Sequence, residues 1–197
     1  MSLEHAILGF LNYGPFSGYD LKKAFDTSVR HFWAADQSQI YRTLSRLAER
    51  GLATIETVEQ DSRPDRKLYH ITAAGKAELA RWLSNPLPAE ESRSANLVQV
   101  FFAANLSDEQ ALAIFEDGAR QMRAMLQGYA GVPVEYFTQA AQGFPASTPM
   151  GERERFFWLL TLECGLANAQ GMLTWMESVI ERLKNKDYTN RLNVLEA

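Results

Sequence analysis

The sequence predicts a mainly α-helical protein in two parts: an N-terminal unit of helices closed by a two-stranded β-hairpin, and a C-terminal domain of longer helices. Three observations carry this. Residues 3–52 hold three successive stretches with apolar residues at helical spacing, broken by Gly14-Pro15 and by a mixed connection. Residues 52–72 switch to β-branched and alternating residues around a polar cluster that contains Pro64. Beyond residue 93 helical spacing returns, and it is most regular between Leu159 and Leu183.

In the first stretch Leu3, Ala6, Ile7, Phe10 and Leu11 follow the i, i+3, i+4, i+7, i+8 template of an amphipathic helix. Gly14-Pro15 ends it. Ser17 opens a second helix with Asp20 three residues on, a capping-box arrangement, and Leu21, Ala24 and Phe25 form its inner face. The connection Asp26 to Asp36 carries His31, Phe32 and Trp33.

The third stretch, Gln37 to Leu52, organises the rest. Ile40, Leu44 and Leu47 recur at helical spacing, while Gln39, Arg42, Ser45, Arg46 and Glu49 lie on other faces. Gln37 and Ser38 mark its start, and Gly51 suits the left-handed geometry of a helix C-terminus. The outward groups hydrogen-bond readily to bases and phosphates. By itself the stretch is equally an ordinary amphipathic surface helix.

Its neighbours sharpen the reading. LATIETVEQ and KLYHIT flank DSRPDR, giving a hairpin with a basic-tipped loop. Thr72 caps a fourth helix with Ala73, Ala77, Ala80 and Leu83 as its apolar members and Leu79 and Trp82 beside them; Asn85-Pro86-Leu87-Pro88 stops it. Three helices, a hairpin and a helix make a winged helix-turn-helix with one added helix. The predicted boundaries are a winged-helix DNA-binding domain at 1–85, a linker at 86–92 and a helical dimerisation domain at 93–197.

In that fold the third helix enters a DNA major groove. Gln39 suits adenine, and Arg42 or Arg46 suits guanine or phosphate. Ser38 offers a hydroxyl and backbone N–H groups to a phosphate, with Gln37 and Ser45 on the same outward surface. Arg63, Arg66 and Lys67 of the wing reach a phosphate strand or minor groove, although Asp61 and Asp65 dilute their charge.

Composition is consistent with this and narrows it. Net charge is −4, against a protein that coats nucleic acid indiscriminately. The charge is uneven: residues 1–86 carry 11 Lys+Arg and 10 Asp+Glu, leaving 9 and 14 for the remainder. The sole cysteine, Cys164, permits no intrachain disulfide, fits a reducing cytoplasm and is expected in the core. The N-terminus lacks a signal-peptide pattern, and no apolar run approaches the ~20 residues of a membrane helix.

Catalytic and cofactor signatures are missing too. His5, His31 and His70 are isolated, so no metal is expected. GPFSG places its serine one position late for a nucleophile elbow, and no phosphate-binding glycine loop occurs. Neither an enzyme nor a cofactor is expected.

Residues 3–83 resemble the PadR-like transcriptional regulators. The matching pieces are ILGFL (Ile7–Leu11), SGYDL (Ser17–Leu21), the isolated Trp33, QIYRTLSRLAERGL (Gln39–Leu52) and YHITAAGKAEL (Tyr69–Leu79). The helical second domain has the length of the AphA-like branch. The resemblance implies a cytoplasmic homodimer that binds double-stranded DNA at a palindromic operator, more often as a repressor, and answers in some members to a small hydrophobic or phenolic effector. In the family pattern Tyr41 faces the DNA. A winged-helix module for protein partners, or a ligand sensor without DNA binding, is the alternative that the even charge of the first half leaves open.

The C-terminal half fits a dimerisation arm. Ser94 or Ala95 starts a helix striped by Leu97, Val98, Phe101 and Phe102. Ser107 to Gln110 is a capping box followed by Phe115, Ala119, Met122, Leu126 and Tyr129 at helical spacing. Residues 131–151 read as irregular, with a short helix near 135–142. In the last helix Leu159, Leu162, Leu166, Ala169, Leu173, Met176, Ile180 and Leu183 form a heptad seam, assigned to the dimer interface. Trp33, Phe101, Phe102, Trp158 and Trp175 are candidates for an apolar effector pocket, with packed core as the plain alternative.

Overall fold

The computed structural model describes residues 2–30, 32–59, 65–86, 94–130 and 151–189. His31, Arg63, the linker after Pro86 and the irregular stretch with its expected short helix lie outside the described residues. Two compact units emerge: the described residues through Pro86 together with Gly151 to Leu162, and those from Ser94 to Ala130 together with Glu163 onward.

The first unit is built around α1 (Ser2–Tyr13). Ile7, Leu8, Phe10 and Leu11 are all buried, which is more than one stripe. Helices α2 (Gly18–Thr27), α3 (Gln37–Glu49) and α4 (Ala73–Ser84), together with strand β2 (Arg66–Ile71), all pack on it or beside it. The inner face of α3 comprises Ile40, Thr43, Leu44 and Leu47. Gly51 ends that helix with φ +69°, a left-handed position that glycine adopts without the steric penalty of a side chain.

Strand β1 (Ala53–Val58) pairs antiparallel with β2, Ala53 opposite Ile71 and Val58 opposite Arg66. A second backbone link fixes the hairpin to the helices. Phe16, in the α1–α2 connection, bridges to Tyr69: the Phe16 N–H donates to the Tyr69 carbonyl (3.2 Å) and the Tyr69 N–H donates back (2.9 Å).

Helix α4 corrects the face expected from its alanines. Thr72 caps it as foreseen, accepting from the Gly75 N–H at 3.0 Å. However, Ala73, Ala77, Ala80 and Leu83 are exposed, and Gly75 and Leu79 are the buried pair. The reason is close approach: a Cβ on Gly75 would lie 2.2 Å from the Leu52 carbonyl oxygen. The turn of α4 that touches the hairpin must therefore be the one with no side chain. On the same side His5 stacks on Trp82 (4.6 Å between centroids, 6° between planes), and its Nε2 lies 3.1 Å from Glu78 Oε1. Arg81 donates two hydrogen bonds to the Glu78 carboxylate, which with His5 holds its pKa down to about 2.

The second unit holds α5 (Ala95–Phe101) and α6 (Asp108–Ala130) with the greater part of α7 (Glu152–Lys184). The capping box at Ser107 is complete: its N–H donates to Gln110 Oε1 (3.0 Å) and its Oγ accepts from the Gln110 N–H (3.3 Å). Helices α6 and α7 run antiparallel. Arg123 meets Glu177 at 2.6 Å, Lys184 meets Glu116 at 2.9 Å, and the Tyr188 hydroxyl donates to Asp108 at 2.7 Å.

Between these polar links Phe115 packs edge-on to Trp175, and Met176 lies over Gly118. Along the heptad seam Ala169 and Leu173 are buried, while Leu159, Leu162, Leu166, Met176, Ile180 and Leu183 are half-buried. Helix α6 thus already covers part of the stripe. Helix α5 has no buried residue, and Phe101 is 80% exposed. Cys164 is exposed rather than in the core, because it falls outside the seam between Leu162 and Leu166.

Gly75→Ala should destabilise the first unit by roughly 1–3 kcal/mol, the usual cost of overpacking against a fixed backbone atom. Urea unfolding followed by circular dichroism would measure it.

Candidate nucleic-acid interface

The outward face of α3 is set by its inward one. With Ile40, Leu44 and Leu47 fully buried, helical geometry leaves Gln37, Ser38, Gln39, Tyr41, Arg42, Ser45, Arg46 and Glu49 exposed. Leu3, Gln39, Arg42, Thr43, Ser45, Arg46 and Glu49 line an open hollow of about 610 Å³ along this face. Every helix residue assigned from the sequence to DNA is at this surface, but their local partners differ.

The Arg42 side chain makes no hydrogen bond or ion pair among the described residues, and neither does that of Lys67 in β2. Gln39 uses its side-chain oxygen to accept the Asp36 backbone N–H (3.2 Å), closing the start of α3. Its amide N–H₂ stays available, so two-pronged contact with adenine requires this bond to open. Ser45 lies beside the Tyr69 hydroxyl of the wing strand. Burial raises the Tyr69 hydroxyl pKa although Ser45 acts to lower it, so the group stays protonated at neutral pH.

Tyr41 is 42% exposed and packs over the start of α2: a Cβ on Gly18 would lie 2.5 Å from its ring. Arg46 donates from Nη2 to Thr43 Oγ1 (3.2 Å) and lies 3.6 Å from Glu4 Oε1. Arg50, at the C-terminal end of α3, donates from Nη1 to Glu4 Oε2 at 2.8 Å.

On the wing, Arg66 is ion-paired to Asp20 at the first turn of α2. Partial burial pushes the Asp20 carboxyl up, but hydrogen bonds from Ser17 and Arg66, with the Arg66 charge, carry it below the ordinary range. The expected capping box is thus half made: Ser17 Oγ accepts from the Asp20 N–H (3.2 Å), while the Asp20 carboxylate takes the Ser17 hydroxyl and Arg66.

Glu4, Asp20 and Tyr69 adjoin the candidate interface without having been assigned to it from the sequence. Glu4 carries one faint signal, an acid on an otherwise apolar helix. The candidate pocket residues do not form one cluster within either unit. Trp33 packs at the edge of the first core and Trp158 sits edge-on to Tyr13 at 6.0 Å, both in the first unit. Phe101 and Phe102 pack on each other, and Trp175 on Phe115, in the second. Among the described residues no group of His, Cys, Asp and Glu is arranged to hold a metal ion. No described helix is long and apolar enough to cross a membrane.

A helix-turn-helix with a β wing and an outward, arginine-bearing third helix defines the winged-helix class. Within it, the profile of the transcriptional regulator PadR-like family matches residues 7–81, and that of the virulence activator alpha C-terminal domain matches residues 92–184. The negative transcriptional regulator PadR of Bacillus subtilis is 31% identical over 179 residues, covering 90% of this chain and 95% of its own.

The crystal structure of Bacillus subtilis PadR in complex with operator DNA superposes with a TM-score of 0.75 at 29% identity, covering 93% of this chain and 99% of that one. Its complex with p-coumaric acid gives 0.72 at 30%, covering 92% and 95%. The Vibrio cholerae virulence activator AphA gives 0.70 at 25%, covering 93% and 99%. The chain belongs to the PadR-like family of transcriptional regulators.

Gly18→Ala tests the seat of Tyr41. The ring end is movable, so the melting temperature should fall by only a few degrees, about 1 kcal/mol or less. The fluorescence of a DNA duplex bound by the wild-type protein should report several-fold weaker binding. Unchanged binding would remove Tyr41 from the interface.

Proposed function

We propose that this regulator acts as a cytoplasmic homodimeric repressor without catalytic activity, binding double-stranded DNA at a palindromic operator through α3 and the wing. The observation that carries the reading is the solvent-facing α3 surface, in which the Arg42 side chain has no partner among the described residues, on a chain whose relative is crystallised with operator DNA. Arg42 and Gln39 are assigned to base edges. Gln37, Ser38, Tyr41, Ser45 and Arg46 are assigned to the phosphate backbone, and Arg63, Arg66 and Lys67 to the flanking strand. One such module makes too few contacts to find a site in a genome; two, held about 34 Å apart, read both halves of a palindrome.

The exposed apolar residues of α5 and α7 support the dimer. Leu97, Val98, Phe101, Phe102, Phe156, Phe157, Leu160 and Met172 are between 37% and 80% exposed. Apolar surface of that kind on a non-membrane chain marks an interface. We assign the half-covered seam Leu159, Leu162, Leu166, Ala169, Leu173, Met176, Ile180 and Leu183 to an interface shared between α6 and the partner helix. A small hydrophobic or phenolic effector is proposed because the Bacillus subtilis relative is crystallised with p-coumaric acid. Trp33, Phe101, Phe102, Trp158 and Trp175 are the aromatics offered for it.

Arg42→Ala with Arg46→Ala should weaken binding to the DNA upstream of the chain's own gene by at least tenfold in a gel shift, each lost contact costing about 1–3 kcal/mol. Wild-type protein that ignores DNA at low salt would defeat the proposal. For the arm, Leu166→Arg and Met172→Arg should give monomers by light scattering while keeping the helical circular dichroism signal. A dimer of unchanged mass in both variants would place the interface elsewhere.

A further inference from the structure

Gln39 is the third residue of α3, exposed on the face where it lines the open hollow with Arg42. Its side-chain amide is held at one end. The backbone N–H of Asp36, just before the helix, donates to Gln39 Oε1 at 3.2 Å, one half of the capping box that starts α3. Only the oxygen of an amide can accept an N–H, so this bond tells the two ends apart. The oxygen is taken by the cap. The N–H₂ is left, donating to nothing among the described residues.

That division bears on which base the residue can read. A glutamine with both ends free bonds adenine twice, donating to N7 and accepting from N6. With the cap closed Gln39 still donates to N7, and the cap bond stands in place of the N6 bond. Opening the cap to accept from N6 exchanges one hydrogen bond for another and gains none. Adenine therefore holds no advantage over guanine, which presents the same N7 acceptor. Cytosine presents only the N4 donor on this edge, which an N–H₂ cannot bond.

We infer that Gln39 is a specificity-determining residue that reads a purine rather than adenine alone, its cap-held amide donating to the N7 that adenine and guanine share. The inference rests on the DNA-binding function proposed above and names the base chemistry at that surface.

The test uses full-length protein and duplexes selected from a random-sequence pool, once by the wild type and once by Gln39→Ala. The position whose preference disappears in the variant is the one that Gln39 reads. There the wild type should bind adenine and guanine within about fivefold of each other, below the discrimination of a two-pronged contact, and cytosine several-fold more weakly than either. A 7-deazapurine keeps the ring and its pairing but lacks the acceptor. Placed at that position it should weaken wild-type binding roughly two- to tenfold, the loss of one hydrogen bond.

Gln39→Ala also removes the cap, so Gln39→Glu is the second variant. Glutamate at the third position closes the same capping box, and its melting curve should match that of the wild type, but it has no N–H to donate. Its added charge weakens binding to purine and 7-deazapurine duplexes alike and cancels from their ratio, which should fall to one. A preference for adenine over guanine beyond about fivefold means that the amide opens to make both bonds, and it overturns the inference. A ratio in Gln39→Glu equal to that of the wild type does the same, because Gln39 is then a cap only. So does selection of one and the same sequence by the wild type and Gln39→Ala. A wild type that selects no sequence defeats the proposed function, and this inference with it.

Discussion

Burial of Ile40, Leu44 and Leu47 beside α1 is the constraint on which the rest of the structure depends. All three are fully buried, and truncation of such a residue ordinarily costs about 2–5 kcal/mol. Their spacing fixes the rotation of α3 about its axis, and rotation fixes which side chains face outward. A slip of one residue would turn Arg42 and Gln39 through about 100° and dismantle the basic face. The other contacts of the first unit guard the same orientation. Ser45 reaches Tyr69, Tyr69 is pinned to Phe16 by two backbone hydrogen bonds, and Tyr41 rests on Gly18. The wing and the start of α2 are thereby held against α3.

Electrostatics is the second layer. The first half of the sequence is almost neutral, and the structure explains how it nonetheless presents a basic surface. Two of its acids are placed at the back or flank of cations. Glu4 lies behind Arg46 and Arg50, and Asp20 lies beside Arg66. A largely solvent-accessible pair such as Arg66–Asp20 contributes little to stability, commonly under about 1 kcal/mol. The larger effect of such pairs is on availability: among the described residues the Arg42 and Lys67 side chains carry no ion pair, whereas Arg66 and Arg46 would have to exchange a carboxylate for any other anion. Net charge is therefore a poor guide to this surface, and the position of each acid is a better one.

The second unit follows different physics. Ala111, Phe115 and Ala119 of α6 and Ala169 and Leu173 of α7 are buried, and three polar links along the helices set their register. That pairing leaves α5 and one flank of α7 apolar and open to solvent. Helix α7 also contributes its first turns to the winged-helix unit, where Trp158 meets Tyr13. One continuous helix thus carries residues of both units.

The sequence by itself determined the helices, the hairpin and the outward face of α3, because each depends on local spacing: period 3.6 in Ile40-Leu44-Leu47, alternation in Tyr69 and Ile71, caps at Ser17, Thr72, Ser94 and Ser107. It determined which residues α3 turns to the candidate interface for the same reason, but not the Glu4, Asp20 and Tyr69 that lie beside them. Tertiary structure decided whatever depends on distance between segments. The buried face of α4 is set by the approach of Gly75 to Leu52, which the pattern of alanines conceals. The pairing of Glu4 with Arg50 spans 46 residues, and that of Arg66 with Asp20 the same separation. No spacing rule links such positions. A periodic stripe such as Leu159 to Leu183 declares that it will be covered; only the packing of α6 against it decides how much is covered from within the chain.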